Sequence, residues 1–275
     1  MVSENLIGFI YKENSTRALD LVTSIIGDFE LENRSWILSS PELDKDNTQL
    51  ASTSVIIVVG GDGTILKIAG ISAVHNIPIL GINLGRVGFM TEIEPDEITS
   101  KLRKYLNLQA RLEKRLMLEV NISGFKKLGL HALNDVVVSH SVVGNLIELS
   151  IKVDDVFVDK YRADGVIIAS PTGSTAYSFS AGGPIMFPEA KNILIQPLVP
   201  HMKIGRAMVI SGESKVEISI ENSNEAIMTV DGKQYETPIT EKNLITVSKS
   251  PYVATFLREK DPNVFYKDLF EFLST

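Results

Sequence analysis

The chain has 275 residues, with 27 Lys and Arg against 34 Asp and Glu, a formal charge of −7 at neutral pH. It has no cysteine, which excludes disulfides, thiolate metal sites and thiol nucleophiles, and its acidic balance argues against a nucleic-acid partner, which needs clustered Lys and Arg. No apolar run approaches the roughly 18 residues of a membrane span; the N-terminus, with Glu4 and only Leu6–Tyr11 apolar, does not read as a signal peptide, so the expectation is a cytoplasmic protein of one large or two modest domains.

Leu6–Lys12 is short and apolar, as a buried strand is, and Ser15–Leu31 then places Ala18, Leu21, Val22, Ile25 and Ile26 at helical spacing. Ser35–Ser39 reads as a second strand. Val55–Val59 is a β-branched run that stops at Gly60-Gly61, Thr64–His75 reads as a helix, and Ile77–Ile82 as another buried strand. This alternation predicts a parallel sheet covered by helices on both faces. After a helix over Pro95–Leu106 strands dominate: Ala110–Ile122, Lys126–Ser139, Leu146–Val153, Val156–Tyr161 and Val166–Ser170. Ile147, Leu149, Ile151 and Val153 alternate as in a half-buried antiparallel strand. A helix over Ser174–Ala181 interrupts the series, which resumes at Ala207–Ser211, Lys215–Ile220, Ala226–Val230, Leu244–Ser248 and Val253–Leu257. Val264–Leu273 is an amphipathic helix, free to pack back on the first domain. The expectation is an α/β domain followed by a mainly β one.

Four segments could carry chemistry. Gly60-Gly61-Asp62-Gly63-Thr64 follows a buried strand and opens a helix, so its glycines allow close ligand approach and the helix N-terminus offers N–H groups to a phosphate. The charge of Asp62 would repel that phosphate. It has a use if Asp62 takes a proton from, or orients, an attacking hydroxyl, or holds Mg²⁺; it could equally cap the helix. Gly85-Arg86-Val87-Gly88-Phe89 would form a second loop on the same sheet edge, with Phe89 against a flat ligand or in the core. Asn134-Asp135 suits recognition of a hydroxyl or ring nitrogen, or else forms an Asx turn. The block Asp164–Pro184 is dense in short hydroxyls and nearly free of charge, which fits an uncharged polar ring or sugar, with Tyr177 available for stacking. The four histidines, His75, His131, His140 and His201, have no metal-ligand spacing, and no residue set is assigned to a metal.

Together these segments resemble the NAD kinases, in order and spacing over nearly the whole chain. The resemblance rests on GGDGT at Gly60–Thr64, the loop Gly85–Phe89, Asn134-Asp135, the Asp164–Gly183 block and Asp231-Gly232, and Pro171-Thr172-Gly173-Ser174-Thr175-Ala176-Tyr177 is its most discriminating part. It implies an α/β N-terminal domain (1–98) similar to the phosphofructokinase fold, an all-β sandwich (99–255) that binds NAD, and a final segment (256–275) that returns to the first domain. It implies transfer of the γ-phosphoryl of ATP to the 2′-hydroxyl of the adenosine ribose of NAD, with Mg²⁺ or another divalent cation accompanying ATP. Asp62 would be the catalytic carboxylate, and Gly60, Gly61, Gly63 and Thr64 would line the phosphate path. Arg86, Phe89, Asn134, Asp135 and Asp231 would contact the NAD; Thr172, Thr175, Ala176, Tyr177 and Ser180 would hold its adenine half and adjoining ribose. Asp164 would reach into a neighbouring subunit's site, so the resemblance implies a homodimer or homotetramer with no nucleic-acid or membrane partner. Three positions depart from the commonest pattern: Asp135 stands where Glu is frequent, Ser170 where Thr is common, and Lys233 where Gln is common. A lipid kinase of the diacylglycerol type shares GGDGT but would want an apolar cleft or basic face that Thr172–Ser180 does not offer. A non-catalytic dinucleotide-binding regulator leaves Asp62 without a purpose.

Overall fold

In a computed structural model the described residues are 5–85, 88–107, 109–125, 129–141, 145–201, 205–221, 225–235 and 238–273. The chain divides into two compact units, residues 1–114 with 254–275, and residues 115–253.

The first unit opens with β1 (Leu6–Tyr11), α1 (Thr16–Asp28), β2 (Ser35–Ser39), β3 (Thr53–Gly60), α2 (Asp62–Val74), β4 (Ile79–Asn83) and α3 (Ile98–Leu106). The strands lie in the order β2-β1-β3-β4 and all neighbours are parallel. The chain goes from β1 to one side for β2 and then across to β3, so the gap between β1 and β3 is where the connections diverge. Ligands of open α/β sheets bind at such points, beyond the carboxyl ends of the strands. β3 and β4 are uninterrupted apolar runs because both faces are covered. Ser15 starts α1 by accepting the Ala18 N–H at 3.2 Å, and Ala18, Val22, Ile25 and Ile26 turn inward. α2 begins at Asp62, two residues before the predicted start, because Gly61 takes the N-cap position.

The second unit holds β5 (Arg111–Ile122, entering from the first), β6 (Leu130–Ala132), β7 (Asp135–His140), β8 (Ile147–Val153), β9 (Val156–Ala163), β10 (Gly165–Ala169), the single turn α4 (Tyr177–Ser180), β11 (Asn192–Leu198), β12 (Met208–Ser211), β13 (Val216–Ile220), β14 (Ala226–Val230), β15 (Lys233–Gln234) and most of β16 (Leu244–Arg258). One antiparallel sheet runs β12-β11-β10-β7-β14-β15; the other pairs the start of β16 with β13, β13 with β8 and β8 with β9. Their inner faces share one core, with Leu149, Ile151 and Ile218 from one sheet and Val136, Val138, Val166 and Ile168 from the other, as in a β-sandwich. The opposite faces of β7, β10 and β11 are also covered: Val137, Ile167, Ala169 and Leu194 form a second cluster with Met186. α5 (Val264–Leu273) ends the chain. Among the described residues no helix is long and apolar enough to cross a membrane.

Several elements differ from the sequence expectation. β11 has no alternation to betray it, since it is buried on both sides and carries Gln196 and Pro197. β16 passes straight through Pro251, joining two predicted strands. The strand expected over 126–139 is broken at Leu133-Asn134 into β6 and β7, and residues 126–128 lie outside the described set. The helix expected over Ser174–Ala181 is a 3₁₀ turn at Thr172–Thr175 and then α4, separated by Ala176 at φ −102° and ψ −128°, which is not helical.

Gly8 on β1 lies under the ring of Trp36, and a Cβ there would stand 2.3 Å from Trp36 Cζ2. Trp36 is the sole tryptophan, and its indole N–H donates to Thr53 Oγ1 at 3.0 Å. Gly8→Ala should therefore destabilise the first unit by about 1–3 kcal/mol through overpacking. Urea unfolding followed by Trp36 fluorescence checks this; an unchanged midpoint would show that the ring can yield.

Candidate functional site

In the first unit the carboxyl ends of β1, β2 and β3 open onto a cavity of about 430 Å³, lined by Lys12, Glu13, Ser40, Gly61, Gly63, Thr64 and Lys67. Lys12 follows β1, Ser40 follows β2, and Gly61 follows β3, so the cavity sits where the parallel topology places ligand sites. Two ammonium groups and the first turn of α2 line this cavity, an arrangement suited to an anion. Lys67 Nζ lies 3.5 Å from Glu13, and both are about half exposed, so this pair is a loose one. Gly60 is buried beside Thr64, whose Oγ1 would stand 2.5 Å from a Cβ at that position.

Asp62 does not cap its helix. Its carboxylate turns to the loop after β4, where Oδ2 accepts the Phe89 N–H at 2.9 Å and Oδ1 accepts the Met90 N–H at 3.1 Å. The approach is so close that a Cβ on Gly88 would stand 2.3 Å from Asp62 Oδ1. Gly88 is thus required by its neighbour. Phe89 is half-buried, with its ring 6.0 Å from that of Phe265 on α5. Arg86 lies outside the described residues.

The second unit gathers a different set. Asp231, at a positive φ of 48°, accepts the N–H groups of Leu133 at 2.7 Å, Asn134 at 2.7 Å and Asp135 at 3.1 Å. Its own N–H donates to the Asp135 carbonyl at 3.0 Å. Asp231 thus holds the backbone that carries Asn134 and Asp135. From the other side, the Ser170 N–H donates to the Asn134 carbonyl at 2.8 Å, and the Ser170 hydroxyl donates to the Leu133 carbonyl. Gly173 packs directly on the Asn134 carbonyl, 2.1 Å from where a Cβ would be. The Ser174 hydroxyl donates to Pro171 O at 2.6 Å and accepts the Met186 N–H at 2.9 Å, which ties down the polar loop.

Two polar atoms of this cluster are left over. Asn134 Oδ1 and Thr172 Oγ1 are buried and have no hydrogen-bond partner among the described residues. An Asx turn would engage Asn134 Oδ1, so that reading fails. Buried polar atoms are nearly always paired, and such a pair of orphans suits a ligand with matching groups. Around them Thr175 and Ala176 are half-buried, while Tyr177 and Ser180 are exposed. Asp164 is not part of this group. It precedes β10 while Thr172 follows it, which separates them by on the order of 20 Å along the strand; its Oδ1 lies 3.9 Å from His140 Nε2. Among the described residues no three His, Asp or Glu side chains converge as a metal site.

Sequence reasoning missed Lys12, Lys67 and Ser40, which carry no motif and meet only through the sheet. It also missed the support roles of Gly88 and Asp231, since neither can be read without knowing what lies opposite. Burial, and then the neighbouring Asp231 charge, push the Asp135 carboxyl up to about 7. Burial also raises Asp231, against the pull of its three N–H donors. Between about pH 4 and 7 the folded chain therefore holds a proton on Asp135 that the unfolded chain lacks, so this carboxyl's effect is to lower stability as pH rises through that window. Asp135→Asn should flatten the profile, removing a slope of at most about 1.4 kcal/mol per pH unit. Urea unfolding at a series of pH values is the measurement, and identical slopes in the two proteins would refute it.

The comparisons with known proteins bear on the family and the fold. The ATP-NAD kinase N-terminal domain matches residues 9–110 and the ATP-NAD kinase C-terminal domain residues 133–259. The chain is 35% identical to the NAD kinase of Caldanaerobacter subterraneus subsp. tengcongensis over 94% of its own length and 95% of the relative's. It is 38% identical to an NAD kinase of Clostridium botulinum over 84% of its length and 80% of the relative's. Among solved structures, the NAD kinase from Archaeoglobus fulgidus in complex with ATP superposes with a TM-score of 0.78 at 28% identity, covering 97% of this chain and 98% of that one. Yeast NADH kinase complexed with NADH superposes at 0.86, covering 98% and 88%, and at 23% identity it speaks for the fold. With both halves matched to their own domain models and relatives similar over most of their length, the chain belongs to the ATP-NAD kinase family.

Proposed function

We propose that the chain transfers the γ-phosphoryl group of ATP to the 2′-hydroxyl of the adenosine ribose of NAD, with Asp62 aligning that hydroxyl and taking its proton. The observation that carries the assignment is a carboxylate held by two backbone N–H groups, on a residue whose neighbours Gly61 and Gly63 line the cavity at the strand ends. Both its oxygens keep lone pairs for a hydroxyl. Phosphoryl transfer passes through a loose transition state, so positioning and charge neutralisation supply most of the rate. Lys12, Lys67 and the N-terminus of α2 would hold the donor phosphates. A divalent cation arriving with ATP would supply further charge neutralisation; Glu13, which lines the cavity, would be a candidate carboxylate for it, with the phosphates furnishing other oxygens.

The second unit would hold the dinucleotide. Asn134 Oδ1 and Thr172 Oγ1 would meet its polar edges, Asp135 its hydroxyls, and the exposed ring of Tyr177 its base. Asp231 would act by holding Asn134 and Asp135 in place. The self-association implied by the resemblance fits two features: Asp164 lies far along β10 from the Thr172 cluster, and Val156, Phe157 and Val158 are exposed apolar side chains on β9. A cytoplasmic location accords with a dinucleotide substrate.

Asp62→Asn should lower kcat by about 10²–10⁴-fold, the usual range for general-base catalysis, with NAD affinity little changed. The pure protein is assayed for NADP formation from ATP, Mg²⁺ and NAD, with binding followed by calorimetry; wild-type kcat in the variant would sink the assignment. Thr172→Val separates binding from folding. Because the hydroxyl has no partner among the described residues, the valine should leave the unfolding midpoint unchanged or raised, while NAD binding weakens about tenfold. Unchanged NAD affinity would remove Thr172 from the site.

A further inference from the structure

Arg258, the last residue of β16, is one of the largest buried polar groups in the first unit, with 6% of its surface exposed. A buried cation needs partners, and it has four. Nη1 donates to the Thr91 carbonyl at 2.9 Å and to Glu92 Oε2 at 3.0 Å; Nη2 donates to the Phe89 carbonyl at 3.1 Å; Nε donates to Glu113 Oε1 at 3.4 Å. The carboxylates are themselves anchored. Glu92 Oε1 accepts the Tyr105 hydroxyl at 2.9 Å and the N–H groups of Glu259 and Lys260 at 2.8 and 3.1 Å, and Glu113 Oε2 accepts from Arg111 at 3.0 Å. The fork of donors is therefore fixed relative to the sheet, and two of its bonds go to the backbone at Phe89 and Thr91.

That backbone is the stretch that holds Asp62. The Phe89 carbonyl and the Met90 N–H belong to one planar peptide group. Its oxygen faces Arg258 and its N–H faces Asp62 Oδ1 at 3.1 Å, while the preceding N–H, of Phe89, meets Oδ2 at 2.9 Å. A cation on the carbonyl polarises the amide and strengthens its N–H as a donor. A buried ion pair is weak evidence of stability, since apolar side chains of like volume often serve as well. Here the charge has another use. We propose that Arg258 is a positioning residue for phosphoryl transfer, which fixes the Asp62 carboxylate through the Phe89–Met90 peptide.

The inference rests on the reading of Asp62 as the catalytic carboxylate, and a double-mutant cycle tells the two apart. Arg258→Lys keeps the charge but cannot span two carbonyls and two carboxylates. It should lower kcat by about 10- to 100-fold, with KM for NAD and for ATP within about twofold of wild type. In an Asp62→Asn background the same change should alter kcat by less than about twofold, because the group it positions is gone. A second variant, Arg258→Met with Glu92→Gln, removes the buried pair while Glu113 keeps Arg111; it should keep its thermal melt and lose the same kcat. Equal losses in both backgrounds, a change carried by KM, or a folded double variant with wild-type kcat would each overturn the positioning role while leaving Asp62 in place. Wild-type kcat in Asp62→Asn alone would overturn the catalytic reading and this inference with it.

Discussion

A carboxylate that accepts hydrogen bonds from the backbone of a distant loop can fix that loop without any positive charge, and both units depend on this arrangement. Asp62 reaches 27 positions along the chain to the Phe89 N–H, and Asp231 reaches 98 positions to the Leu133 N–H. Backbone donors are rigid, and charge-assisted bonds to them are stronger than neutral ones. The result differs between the two. Asp62 accepts two backbone N–H groups and keeps lone pairs to spare, whereas Asp231 is enclosed by three donors and serves the residues it holds.

This arrangement resolves a tension in the composition. A chain of charge −7 is ill suited to a polyanionic partner in general, yet its family handles two nucleotides. Net charge describes the long-range field, and at the site local groups decide. Lys12, Lys67 and the end of α2 face the cavity in the first unit. The cluster around Asn134 and Thr172 offers uncharged polar atoms instead. The absence of cysteine costs the proposed chemistry nothing, since it calls on a carboxylate and hydroxyls.

Both-sided burial explains where the regular pattern of the sequence goes silent. β7, β10 and β11 each face the sandwich core on one side and the Met186 cluster on the other, so none of them alternates; β7 and β10 keep continuous apolar runs, and in β11 Gln196 and Pro197 interrupt the run as well. The loop from Pro171 to Ala181 follows β10 and is tied by Ser170 and Ser174 to the backbone at Leu133, Pro171 and Met186. Its hydroxyls thus divide into two sets. Ser170 and Ser174 hold the loop together, and Thr172 has a hydroxyl without a partner among the described residues.

Local pattern was enough for the alternating strands and helices of the first unit, for the antiparallel strands with one wet face, and for the GGDGT and Pro171–Tyr177 segments. Each of these is written in neighbouring residues, through periodicity or turn chemistry. What only the tertiary structure decided is which residue stands opposite which. Gly88 is required because Asp62 lies against it, Asp231 matters because three N–H groups from residues 133–135 converge on it, and Lys12 and Lys67 share a cavity because parallel strands end side by side. Arg258 belongs to no motif in the sequence, and its meaning comes from a carbonyl 169 positions earlier. Contacts of that kind leave no periodic trace, because the forces that select them act across space while periodicity records only what is adjacent along the chain.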